Sequence, residues 1–152
     1  MKNIALLGAA LGAVLQSTQA VAQPGWGRGD GGWGPRGNYH SLYNTKTVET
    51  FQGSVLSIDT FSVVATGRPG VHLHVKRNKD TMTVHLGPLW YLENQELALS
   101  VQDTLTVKGS RVTFNGEPAV IAAEVKKGDA SLILRDAKGY PVWSGWKRRR
   151  AP

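Results

Sequence analysis

The sequence predicts an all-β fold, and three observations carry that prediction. From Val71 to Leu86, apolar and polar residues alternate on either side of a charged Arg77-Asn78-Lys79-Asp80 turn, the period-two pattern of a half-buried hairpin. Asn115-Gly116, a strong two-residue hairpin turn, separates R-V-T-F from the apolar run A-V-I-A-A-E-V. The elements also follow one another in the order β-β-β-α-β-β, within a length that suits one core and not two.

Taken in order, the chain opens with a segment that does not belong to the fold. Lys2, the apolar run from Ile4 to Leu15 and Ala20-Val21-Ala22 predict a secretory signal peptide over residues 1–22, cleaved before Gln23. The expected product is an exported protein, periplasmic in location. Residues 23–45 are rich in Gly with interspersed Trp26, Trp33 and Tyr39 and have no apolar period; they are expected to form a flexible linker. The domain is expected over 46–146, followed by a basic tail, 147–152.

Within the domain, Thr47 to Phe61 is a long strand, and Gly53 inside it marks a bulge or sharp bend. Such a strand can pass from one side of a small barrel to the other. The hairpin centred on Asn78-Lys79 comes next and stops at Gly87-Pro88, because proline cannot continue a ladder. Leu89 to Leu99 has apolar residues at helical spacings and no β-branched residue, so a short helix is expected to plug one end, with Trp90 and Leu97 packed inward. Thr104–Val107 and Arg111–Phe114 precede Asn115-Gly116, and Ala119–Val125 returns. Leu132–Arg135 and Pro141–Trp143 form a small terminal hairpin. This order matches a five-stranded OB-fold Greek-key barrel with one short helix and a C-terminal β-hairpin extension.

The central hairpin carries the functional expectation. With Asn78 and Lys79 at the tip, Arg77 faces Asp80, Val75 faces Met82, Leu73 faces Val84 and Val71 faces Leu86, so all six apolar residues share one face. A slip of one residue would expose one strand's set. The same register puts His72 opposite His85 and His74 opposite Thr83, with directly opposed Cβ atoms about 4.5–5.5 Å apart. Three of the four histidines therefore meet on the other face, which is expected to be open to solvent.

Composition narrows the alternatives. The chain has no cysteine, which excludes disulfides, thiolate catalysis and cysteine-ligated metals. Its formal charge of +7 is concentrated outside the domain. Lys2, the tail Lys147-Arg148-Arg149-Arg150 and a small excess in the linker account for nearly all of it. A domain that tracks phosphates usually carries a basic stripe on its folded surface; here the tail is what can contact anionic surfaces.

Several segments resemble small exported bacterial OB-fold proteins, sometimes labelled DNA-binding. They are G-S-V-L-S-I-D, G-V-H-L-H-V, V-H-L-G-P-L-W-Y-L, G-S-R-V-T-F-N-G-E-P-A-V-I-A-A-E-V-K-K-G-D and L-R-D-A-K-G-Y-P-V-W-S-G. A looser similarity extends to the periplasmic bacterial OB-fold family. The resemblance covers Lys46 to Trp146, includes His72 and His85 but not His74, and implies fold and export. It implies little about function, because OB barrels host many unrelated tasks.

The expected chemistry follows. Neutral imidazole is a ligand for zinc and copper, and His72, His74 and His85 are the candidate metal ligands, with an open position for water or another donor. Trp90, Tyr91, Lys76 and Arg77 are candidate ligand-binding residues around that face. They also support the alternative of an oligonucleotide or other anionic ligand, since single strands bind by stacking and a basic groove. No nucleophile elbow, phosphate-cradling loop or HExxH helix is present, so a non-enzymatic binding protein is expected. Its partner would be an unidentified protein or small ligand, with nucleic acid as the weaker choice.

Overall fold

The computed structural model describes residues 32–63 and 67–144. The predicted signal peptide, the first part of the predicted linker with Trp26, and the basic tail lie outside them. The elements are β1 (Val48–Ser62), β2 (Pro69–Arg77), β3 (Asp80–Pro88), α1 (Leu89–Leu92), β4 (Thr104–Phe114), β5 (Glu117–Lys127) and β6 (Ala130–Ile133). They form one sheet in the order β3-β2-β1-β4-β5-β6, in which every neighbouring pair is antiparallel. A short parallel pairing of β3 with β5, Val84 to Val120 and His85 to Ile121, brings the two ends round to meet. The fold is all-β and barrel-like.

Strand β1 makes that closure geometrically feasible. Its first half, Val48 to Ser54, pairs with β4, and its second half, Ser54 to Ser62, pairs with β2. At the changeover sits Gly53, where a Cβ would meet the Lys76 carbonyl at 2.6 Å and also strike the Val75 side chain. Only glycine lets the strands approach so closely at the bend. A register shift between Val55 and Ser57 then leaves Leu56 as the extra residue, and its side chain is exposed.

The central hairpin has the expected alignment near its tip. Arg77–Asp80, Val75–Met82, His74–Thr83, Leu73–Val84 and His72–His85 are all partners, and a shift beyond His72 sets Val71 against Gly87 in place of Leu86. Asn78 at the tip has φ 56°, a left-handed conformation that Asn tolerates. The second hairpin turns at Asn115 and Gly116, φ 51° and 79°, the pair of positive values that a type I′ turn requires. Leu73, Val75, Val84, Leu105, Val107 and Val125 fill the interior with no exposed surface. The middle of β5, Ala119–Ala123, is buried on both faces, which explains its unbroken apolar run.

The helix is shorter than expected. It ends after Leu92, because the side chains of Asn94 and Gln95 donate to the carbonyls of Trp90 and Tyr91 and so satisfy groups that a longer helix would use. Leu89 and Tyr91 are buried, whereas Trp90 and Leu97 are half-buried against the core. The following segment is laced to β1 by hydrogen bonds from Val55 N to Asp103 O and from Gln102 N to Val55 O.

The largest departure concerns residues 32–45, which the sequence assigns to a linker. They pack across the outer face of the sheet. Trp33 is 1% exposed and Tyr39 5%; the Trp33 indole donates to the Arg68 carbonyl at 2.9 Å, and the Trp143 indole donates to the Trp33 carbonyl at 2.8 Å. The sheet accommodates the two indoles by presenting bare backbone. A Cβ on Gly70 would collide with Trp33, and one on Gly87 would come within 2.8 Å of Trp143. Glycine content alone suggested an unstructured lead-in; the two aromatic anchors within it have no helical or strand period and so escape a periodicity test.

This packing predicts a large effect of one substitution. Trp33→Ala should lower unfolding free energy in urea by about 3–5 kcal/mol, as for a buried aromatic truncated to alanine. A loss within about 0.5 kcal/mol, as at an ordinary surface position, would mean that the segment does not strap the barrel.

Candidate metal-binding site

Strand alternation sends Asp59, His72 and His74 to one side of the β1–β2 pair. Asp59 is the direct partner of His72, and Ser57 of His74. One ligand atom from each of Asp59, His72 and His74 can be chosen so that all lie within 4.8 Å of one another. His74 Nε2 is 3.9 Å from Asp59 Oδ2. An ion with metal–ligand distances of about 2.1 Å would hold its donors roughly 3.4 Å apart, a gap that side-chain rotation closes. Asp59 is exposed while the two imidazoles are partly covered, so the site opens to solvent.

Neighbours hold the two rings. Phe61 lies flat against His72, with ring centroids 5.0 Å apart and planes 11° from parallel. His74 Nδ1 is 3.4 Å from Thr83 Oγ1. With Nδ1–H donating to that hydroxyl, Nε2 is left as the free ligand atom, facing Asp59; such outer partners orient metal-binding histidines. Partial burial, with the neighbouring His74 adding to it, holds His72 below the usual imidazole range, which favours the neutral, ligating form.

His85 does not join this group as a ligand, although its ring lies 5.9 Å from that of His72. It is 2% exposed and roofed by the strap. Its Nδ1 is 2.9 Å from the Tyr39 hydroxyl, the Tyr39 ring stacks over it at 5.9 Å, and Phe61 and Phe114 close in at 4.3 and 4.9 Å. The expectation of three imidazoles on an open face is therefore corrected: the register is right, but the segment expected to be a linker covers one of the three. Burial, with a smaller contribution from His72, pushes His85 down to about 3. Burial likewise raises the Tyr39 phenol, which stays protonated.

The other candidate residues do not gather round the histidines. Tyr91 is buried, its hydroxyl donating to the Ile133 carbonyl at 3.3 Å and its ring 5.5 Å from Trp143; it is a core residue and not a rim group. Trp90 packs half-buried on the core beside it. Arg77 falls on the opposite face of β2 from the histidines, over the Phe51 ring and 3.9 Å from Glu49. Lys76 is exposed in the same alternation phase as His72 and His74.

Residues 47–132 match the MamS/MamX magnetosome protein family. The chain belongs to that family. No curated protein matches it. All three residues of the MamS/MamX-family chain that meet at the cluster lie within the matched segment, whereas Trp33, Tyr39 and Trp143 lie outside it. Asp59 is the functional candidate that sequence reasoning missed. Its signal was faint: an acid in phase with Ser57 and Phe61, whose alignment with β2 depends on the bulge at Leu56.

The roofed histidine predicts an acid-sensitive fold. In the unfolded chain His85 takes up a proton near pH 6.5, but in the folded protein only near pH 3. Its contribution to stability is complete above about pH 6.5 and is lost as pH falls through that interval, with a slope of up to about 1.4 kcal/mol per pH unit. Urea titrations between about pH 7 and about pH 4 should show this decline, and His85→Gln should make it shallower. Equal slopes in the two proteins would contradict the assignment.

Proposed function

We propose that this MamS/MamX-family chain is an exported, non-enzymatic OB-fold binding protein that takes a divalent transition metal, zinc or copper, at Asp59, His72 and His74. The observation that carries the reading is the convergence of one carboxylate and two imidazoles to within 4.8 Å on two adjacent strands. Nitrogen and oxygen donors of this kind suit both ions. Three protein ligands leave a position for water or for a donor from a metal-bearing partner. The OB assignment is supported by the strand order, the helical turn between β3 and β4, and the parallel β3–β5 pairing. Strand β6 and the isolated Arg135–Pro141 bridge supply the C-terminal extension. No helix among the described residues is long and apolar enough to cross a membrane.

A bland alternative is a surface ion pair between His74 and Asp59, which would contribute little. Zinc titration separates the two. A ligand that binds only the native state raises unfolding free energy by about 2.7 kcal/mol at about 100 times its Kd, so the thermal midpoint should rise with zinc or copper. His72→Ala with His74→Ala should abolish the rise, Asp59→Asn should reduce it, and His85→Gln should keep it. No rise in the wild-type protein, or a rise that survives loss of both His72 and His74, would remove the proposal.

A further inference from the structure

Arg135 is 4% exposed and lines a cleft of about 350 Å³ together with Tyr43, Thr45, Lys108, Glu124 and Asp136. None of these residues belongs to the metal site. A guanidinium so far from water normally sits against a carboxylate, yet no ion pair among the described residues includes Arg135. What holds it is neutral. Nη1 donates to the Gly139 carbonyl at 2.9 Å and to His40 Nδ1 at 3.1 Å. The Tyr43 and Trp143 rings lie 5.4 and 5.3 Å from its central carbon. His40 accepts this bond only with its proton on Nε2, and it is stacked under Tyr140 at 5.4 Å.

These contacts use Nη1 and the ring-facing surfaces of the group. Nε is buried without a hydrogen-bond partner among the described residues, and none of the hydrogen bonds that hold Arg135 uses Nη2. Nε–H and Nη2–H point the same way and make the fork that grips a carboxylate by both oxygens. We infer that the cleft is a receptor for the carboxylate of a small organic acid, received first at Nη2 of Arg135, with a small shift of the side chain bringing the covered Nε–H into the fork and with Lys108 at the rim.

The remaining lining sets the ligand class. Asp136 Oδ1 is committed to the backbone amides of Lys138 and Tyr140, and its charge and that of Glu124 oppose a multiply charged anion such as phosphate. The volume is at the small end of ligand sites. The fork therefore selects a single carboxylate on a compact body.

The test is an NMR titration of the ¹⁵N-labelled chain with acetate, and with inorganic phosphate and chloride at matched ionic strength. The Arg135 Nε–H resonance, assigned through bonds in the wild-type protein so that no folding variant is needed, should shift saturably with acetate. Phosphate should bind about tenfold more weakly or not at all, the cost of about one charge-assisted hydrogen bond. Lys108→Ala, at an exposed position, should weaken acetate about threefold while leaving the thermal midpoint in place. An Arg135 Nε–H signal unmoved by acetate, or moved equally by chloride, would overturn the inference whatever the outcome of the zinc titration.

Discussion

Burial of the Trp33 indole against the bare backbone of Gly70 divides the outer face of the sheet into a dry half and a wet half. Under the strap lie His85 and the Tyr39 hydroxyl, sealed among aromatic rings, with half-buried Phe114 beside them. Beyond its edge lie Asp59, His72 and His74, reachable from solvent. Phe61 stands at the border, touching Trp33, His85 and His72 alike. The same face of the same hairpin thus offers a neutral structural imidazole on one side and solvent-reachable imidazoles on the other. Register places the rings together; the roof decides what each can do.

That division has an electrostatic logic. Burial makes a charged imidazole costly, so His85 is held neutral and its nitrogen is occupied by Tyr39. His72, half covered and braced by Phe61, keeps its neutral form while remaining accessible. His74 faces Asp59, the one carboxylate of the cluster. The graded exposure across three rings spaced only 5–6 Å apart follows from how far the strap reaches across the sheet.

The parts of the fold that were legible in the sequence are the local ones. Period-two alternation fixed the alignment of Leu73, Val75, Met82 and Val84, and Asn115-Gly116 located the second turn, because both signals lie within a few residues. The bend at Gly53 was legible for the same reason. What failed was non-local. Trp33 and Tyr39 bury themselves against residues such as Gly70 and His85, far along the chain, and the glycines around them read as disorder. Tyr91 was read as a rim group because nothing nearby shows that Trp143 and the Ile133 carbonyl receive it. Asp59 was overlooked because a bulge separates it from the part of β1 whose phase the pattern reveals. The all-β class and the hairpin register near its tip could be derived; which histidines stay wet could not.

The bond between the Trp143 indole and the Trp33 carbonyl joins residues 110 apart in sequence, and it lies at the centre of the aromatic cover. Loop closure across so long a span is entropically slow to achieve, and contacts of this range retard folding. A polypeptide released N-terminus first would therefore carry an incomplete cover, with apolar rings still wet, until Trp143 arrives. Completion of the outer face thus waits on Trp143 and not on the hairpin on which it rests.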